Sequence, residues 1–194
     1  MIGLVLCGGK SSRMGADKGM LLHEEKTWAQ NAVDKLSALN IPVKISVNNT
    51  QYPEYKSVFP SAALIVDDEL LDIHGPLGGL LSAHLKNQGE TIFVLACDMP
   101  LMNASVLAQL KDAFHTYEGP EAFVFTNDGE PEPLCGIYKS TGLEAILSMY
   151  KAGNLLKHSM KFFLYHVNTF TIALTDEQKP FFRNINAHSE LNGL

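Results

Sequence analysis

The chain has 194 residues, of which 46% are hydrophobic and 19% charged, a balance that suits one domain with its own apolar core and needs no disulfide or metal staple. Its 15 glycines and 9 prolines exclude low-complexity and collagen-like structure. A net charge of -6, from 21 acidic and 15 basic side chains, excludes a protein whose main task is to coat nucleic acid and leaves only a local basic patch to serve an anionic ligand.

Short, continuous apolar runs alternate with segments of helical period. The runs Ile2–Leu6, Val43–Val47, 63–66 and Ile92–Ala96 show no alternation, as expected of strands covered on both faces in a parallel sheet. Thr27 is a suitable N-cap for a helix whose inward stripe is Trp28, Ala32, Val33, Leu36 and Leu39. Pro76 suits the first turn of a second helix, with Leu77, Leu80, Leu81, His84 and Leu85 on one face. A third helix follows Asn103, with Val106, Leu107, Leu110 and Phe114 inward. The second half reads as strands over 122–125, 134–138 and 162–167, with a polar loop at 126–133, a helix over 141–151, a last strand at 181–185 and a short helix capped by Asn186. Strand and helix in alternation predict a single α/β domain with right-handed crossovers.

In open α/β sheets, ligands bind beyond the carboxyl ends of the strands. The segment after the first strand is the richest in chemistry: Leu6-Cys7-Gly8-Gly9-Lys10-Ser11-Ser12-Arg13-Met14-Gly15-Ala16-Asp17-Lys18-Gly19. Gly8 and Gly9 let backbone N–H groups approach a ligand, and Lys10, Arg13 and Lys18 supply the charge that a polyphosphate requires. It is neither a Walker A loop, since Leu4 falls where the first glycine belongs, nor a G-x-G-x-x-G fingerprint.

The pattern L-x-G-G-x-S-x-R-M-G-x-D-K resembles the signature loop of the MobA-like nucleotidyltransferases. Four further landmarks follow in family order: Asp67 ahead of Gly75-Pro76-Leu77-Gly78-Gly79, then Cys97-Asp98-Met99-Pro100, Glu132-Pro133-Leu134-Cys135-Gly136-Ile137-Tyr138, and Phe182-Arg183-Asn184-Ile185-Asn186. The resemblance implies a three-layer Rossmann-like sandwich with a mostly parallel sheet, similar to the nucleotide-diphospho-sugar transferases. It also implies transfer of a nucleotide from GTP to molybdenum-bound molybdopterin, with Mg2+ as cofactor; a related enzyme using CTP or another phosphorylated acceptor is the alternative. Other cofactor-assembly proteins and apo-molybdoenzymes are the implied protein partners.

Residue by residue, the resemblance implies that Leu6, Cys7, Gly8, Gly9, Asn48 and Asp67 bind the nucleotide, that Arg13, Lys18 and Asp98 are catalytic, and that Lys18 and Asp98 also contact the nucleotide. Asp98, at the end of a very apolar strand, suits Mg2+, which takes one or two carboxylates and completes its shell with phosphate and water. The same aspartate equally suits a cap before Pro100, and spacing alone leaves both open. Asp67 is expected near base or ribose, with a structural turn as its other reading, and Ser46 stands nearby as a second polar group. Asn48, Asn184 and Asn186 also suit loop, turn and cap roles. Arg13 suits the leaving pyrophosphate, the second substrate or a surface ion pair. Asp17 is placed to orient the Lys18 stem, and Gly78 and Gly79 to let a helix start pack close to the ligand.

Three cysteines, Cys7, Cys97 and Cys135, lie far apart, are odd in number and form no C-x-x-C pair, so neither a disulfide framework nor a zinc site is suggested and reduced thiols in a cytoplasmic protein are expected. The first residues lack a basic leader and no run approaches the ~20 apolar residues of a membrane span, so no membrane partner is expected. The seven histidines show no metal spacing; His84 falls on an apolar stripe and reads as core or boundary. Compared with the family pattern, Cys7 replaces alanine, Glu25-Lys26-Thr27 replaces G-K-P and Ala187-His188 replaces Thr-Pro.

Overall fold

The structure is a computed structural model that describes residues 1–8, 17–23 and 25–185. Strand β1 (Ile2–Leu6) is wholly buried and lies between β4 (Val43–Val47) and β6 (Ile92–Ala96), parallel to both. A short β2 (Leu22–His23) pairs antiparallel with β3 (Lys26–Thr27) outside the main sheet. The central sheet has seven strands in the order β5-β4-β1-β6-β8-β7-β9, with β5 (Leu64–Val66), β7 (Ala122–Asn127), β8 (Glu130–Tyr138) and β9 (Thr169–Ala173) completing it. Among the described strands of this sheet, only β8 runs against its neighbours, β6 and β7. The fold is therefore the mostly parallel α/β sandwich that the apolar runs predict.

Two apolar layers explain why those runs do not alternate. Val5, Ile45, Phe93 and Leu95 face a core shared with α1 (Trp28–Ser37) and α4 (Ala104–Thr116). Ile2, Leu4, Ile92 and Val94 face the opposite core, shared with α3 (Pro76–Lys86), α5 (Ser140–Lys151) and α6 (Met160–Tyr165). A strand covered on both sides has no position at which a polar side chain would meet water.

The predicted caps are in place. The Thr27 hydroxyl accepts from Gln30 N at 3.1 Å while the Gln30 side chain accepts from Thr27 N at 2.8 Å, a reciprocal capping box that starts α1. Asn103 Oδ1 accepts from Ser105 N at 2.9 Å and starts α4, and Pro76 opens α3.

Three readings of the chain are corrected. Residues 162–167 are not a strand: Met160–Tyr165 is helical, with the Ser159 hydroxyl accepting from Phe162 N at 3.1 Å and Met160, Phe163 and Leu164 buried at helical spacing. The strand comes later, at β9, whose half-exposed Thr-Phe-Thr-Ile-Ala pattern fits an edge position beside β7. Residues 181–185 are not a strand either; a 3-10 turn over Lys179–Phe182, entered through Pro180, leads to an extended segment whose Ile185 N donates to Asp98 O at 3.0 Å. Finally, the polar stretch 126–133 is mostly strand. Asp128 (φ 50°) and Gly129 (φ 85°) make a two-residue hairpin turn, the left-handed pair that an Asp-Gly sequence favours.

Pro131 and Pro133 are tolerated in β8 because pairing with β6 begins only around Cys135, and the β7 register shifts between Val124 and Phe125. The Tyr138 hydroxyl reaches back over Gly136 to donate to Pro133 O at 2.6 Å and pins that irregularity. The Pro-Leu-Cys-Gly-Ile-Tyr landmark is thus a packing device. Helix α2 (Tyr52–Val58) and the β2–β3 pair are additional elements that the periodicity did not announce. Among the described residues, no helix is long and apolar enough to cross a membrane.

Thr27→Ala removes one half of the capping box and should lower unfolding free energy by about 1 kcal/mol. Urea denaturation of the two proteins measures it.

Candidate functional site

The carboxyl ends of β1, β4, β5 and β6 lie side by side because hydrogen bonding continues past the strands themselves. Cys7 N donates to Ser46 O at 3.1 Å, Asp67 N to Val47 O at 2.8 Å, and Cys97 N to Leu6 O at 3.2 Å. Gly8, Asn48, Asp67 and Asp98 therefore emerge along one edge.

At this edge the amino-terminal loop and the distant aspartate meet. Lys18 Nζ lies 3.6 Å from Asp98 Oδ2, with both side chains about one-fifth exposed. Burial pushes the Asp98 carboxyl above the ordinary carboxylate range, and the Lys18 charge pulls it partway back. Asp98 Oδ1 is buried with no hydrogen-bond partner among the described residues. Asp98 is held from behind: its carbonyl accepts from Ile185 N, and Lys35 Nζ on α1 donates to Pro100 O. That lysine is itself half-buried, and desolvation lowers it to about 8.

Lys18 sits in a 3-10 turn, Lys18–Met20, capped by Asp17, whose Oδ1 accepts from Gly19 N at 2.9 Å and from the Tyr55 hydroxyl at 2.7 Å. Asp17 thus fixes the turn that carries Lys18. Gln51 also donates to Asp17 and, at 2.9 Å, to Cys7 O. Gln51 and Tyr55 were missed in the sequence because α2 was; their spacing of four on a helix was the available signal.

Along the same edge, past the ends of β1, β4 and β5, opens a cleft of about 480 Å³ lined by Gly8, Asn48, Asp67, Asp68, His74 and Ser82 among others. The Ser46 hydroxyl, wholly buried, donates to Asp67 Oδ1 at 2.6 Å. Burial raises the Asp67 carboxyl, while the Ser46 bond and the Lys86 charge oppose it. Asn48 Oδ1 accepts from Thr50 Oγ1 at 2.6 Å and Gln51 N at 2.9 Å, so this residue shapes its own turn while lining the cleft. The first turn of α3 approaches so closely that a Cβ on Gly79 would stand 2.5 Å from Ser46 Oγ, and one on Gly78 2.3 Å from Ile73 O.

The remaining predicted residues are placed as follows. Leu6 and Cys7 bury their side chains in the core, so they face the site through backbone alone. Asn184 is exposed near the segment that bonds Asp98. Gly9, Lys10, Arg13 and Asn186 lie outside the described residues. Cys7, Cys97 and Cys135 are free and buried, and hydrogen bonding to Cys7 together with burial pushes the Cys97 thiol up, as expected of a structural residue. His84 is buried, with Nε2 3.3 Å from Glu144 Oε2. Among the described residues, no three His, Cys, Asp or Glu side chains form a cluster able to hold a metal ion.

A doubly covered, mostly parallel sheet whose carboxyl edge joins a lysine from a glycine-rich loop to a strand-end aspartate defines a nucleotidyltransferase-type α/β protein. A family profile described as the MobA-like NTP transferase domain matches residues 3–166. Two similar proteins are the probable molybdenum cofactor guanylyltransferases of Flavobacterium johnsoniae (30% identical, covering 98% of this chain and 94% of the relative) and Methanothermobacter thermautotrophicus (32%, 96% and 95%). The crystal structure of molybdopterin-guanine dinucleotide biosynthesis protein A from Archaeoglobus fulgidus shares the fold, with a TM-score of 0.76 at 23% identity over 100% of this chain and 96% of that one. The chain belongs to the MobA-like NTP transferase family.

Gly79→Ala forces the Ser46–Asp67 pair apart and should weaken nucleotide binding about tenfold with a stability loss of about 1–3 kcal/mol, as overpacking does. Calorimetric titration and urea denaturation report the two effects separately.

Proposed function

We propose that the protein transfers GMP from GTP to the terminal phosphate of molybdenum-bound molybdopterin, releasing pyrophosphate and forming the guanine dinucleotide cofactor. The observation that carries this reading is the convergence of Lys18 and Asp98 at the carboxyl edge of the sheet, the edge along which Gly8, Asn48 and Asp67 line a cleft. It is supported by relatives that bear the guanylyltransferase name and align over nearly the whole chain.

The chemistry follows from charge. An oxygen of the acceptor phosphate attacks the α-phosphorus in line; a new P–O bond forms as the bond to the α,β-bridging oxygen breaks, and that oxygen leaves on pyrophosphate. A phosphate monoester, with its second pKa near 6, is already anionic at neutral pH. No general base is needed, and repulsion between anions is the barrier to overcome. Lys18 supplies a cation at the polyphosphate, held by Asp17 and its turn. The cleft along the same sheet edge carries Asp67 and Asp68. Carboxylates there suit guanine, whose N1–H and N2 amino group present donors. Backbone N–H groups at the start of α3 add a favourable field for negative charge.

Asp98 fits a hard divalent cation: its buried Oδ1 has no partner among the described residues, and Mg2+ needs only one or two carboxylates where phosphates complete its shell. Bound there, Mg2+ would neutralise charge developing on the phosphate oxygens. A cytoplasmic location and passage of the product to cofactor-assembly proteins or apo-molybdoenzymes belong to the same reading.

Asp98→Asn keeps the shape and removes the charge. It should lower pyrophosphate release about 10²–10³-fold while leaving the melting temperature equal or higher at neutral pH, since burial raises the Asp98 carboxyl and its ionised form is disfavoured in the folded state. Near-normal Mg2+-dependent turnover would refute the metal role. In a competition among GTP, CTP, ATP and UTP, GTP should be preferred at least about tenfold, a difference of about 1.4 kcal/mol; a preference for CTP would overturn the choice of base.

A further inference from the structure

Gln51 is buried, yet every polar atom of its side chain is engaged. Nε2 donates to Cys7 O at 2.9 Å and to Asp17 Oδ2, and Oε1 accepts from Asn48 N at 2.9 Å. The orientation of the amide is dictated by chemistry. A carbonyl and a carboxylate only accept, and a backbone N–H only donates, so the nitrogen faces the first two and the oxygen the third. One turn further along α2, the fully buried Tyr55 donates to Asp17 Oδ1 at 2.7 Å. Tyr55 also presses on the turn that carries Lys18: a Cβ on Gly19 would stand 2.0 Å from its hydroxyl oxygen.

Cys7 closes strand β1, where the glycine-rich segment begins, and Asp17 stands immediately before Lys18, where it ends. We infer that Gln51, aided by Tyr55, is a positioning residue for nucleotide binding, tying these two points together and so holding Lys18 opposite Asp98. The inference rests on the proposed nucleotide reading and adds to it residues that do not touch the ligand. A side chain that merely filled this space would need no donors. The site instead uses two donors on one atom and an acceptor on the next, at the reach of glutamine. The Tyr55 hydroxyl is pushed far above its ordinary range, chiefly by burial, with the Cys7 and Cys97 thiols and Asp17 adding to it, and so keeps its proton as a donor.

Gln51→Glu preserves size and replaces both donors with an acceptor facing Cys7 O and the Asp17 carboxylate. Among the described residues, the titratable groups acting on Gln51 and Tyr55 are Asp17 and the Cys7 and Cys97 thiols, of which Asp17 is the carboxyl. Two carboxyls sharing one buried site retain a proton more readily, and a protonated carboxyl can donate again. Calorimetric titration with GTP and Mg2+ is therefore performed on wild type, Q51E and Y55F at several pH values from about 5.5 to about 8, with melting temperatures measured alongside. Q51E should bind GTP at least about tenfold more weakly than wild type at the alkaline end, and the deficit should shrink as pH falls. Y55F should lose a few-fold in affinity at every pH.

If wild type binds GTP and Q51E matches it at the alkaline end, or shows one constant deficit across the range, the positioning role is overturned and the nucleotide reading stands. If wild type itself does not bind GTP, the proposed function falls and the inference with it. Should Q51E fail to fold, Y55F and Q51A decide: unchanged affinity in both refutes the role, and loss of affinity with retained melting behaviour supports it.

Discussion

The site is organised around a charge that the fold would not tolerate alone. Asp98 ends a strand with no exposed residue, and its carboxylate is mostly removed from water. At 3.6 Å from Lys18 Nζ, and with an effective dielectric constant of about 20, the attraction is about 5 kcal/mol, which does not fully offset the several kcal/mol that desolvation costs for each of the two ions, in keeping with the raised Asp98 carboxyl. A pair that does not repay its own desolvation is available for exchange. A polyphosphate and its cation can take over as partners of both groups without a large deficit on either side.

The sheet sets the distances. Because β1, β4, β5 and β6 are parallel neighbours, their ends fall on one line and the backbone bonds running just beyond them hold that line rigid. Hydrogen bonds from neighbouring segments then brace each emerging segment. Ser46 holds Asp67, Lys35 holds the turn at Pro100, and the chain near its described end returns to place Ile185 against Asp98. The glycines of α3 belong to the same arrangement, since their lack of side chains lets the helix start reach the ends of β4 and β5.

Where the sequence was misread, a short-range preference lost to context. Phe and Tyr at 162–167 favour extended backbone, but Ser159 supplies a cap and the buried positions recur at helical spacing, so the segment packs as a helix. Proline and glycine around 126–133 suggested a loop; the first half of β8, which pairs with β7 and not with β6, and its irregular register accommodate both prolines, and only Asp128-Gly129 turns. Helix α2 escaped notice because it is a bare two turns long and buries only Tyr55 among its own residues.

The amino-acid sequence by itself determined the sheet's central strands, the caps of α1 and α4, the glycine-rich segment and the strand-end aspartates. Each of these rests on neighbouring residues, where apolar runs, capping side chains and turn chemistry act over a few positions. Only the tertiary structure decided which distant groups face one another: Lys18 against Asp98, Ser46 against Asp67, Gln51 between Cys7 and Asp17. Those pairings depend on strand order and on where helices cross the sheet. Neither is written in local periodicity, because they follow from burying both faces of one sheet at once.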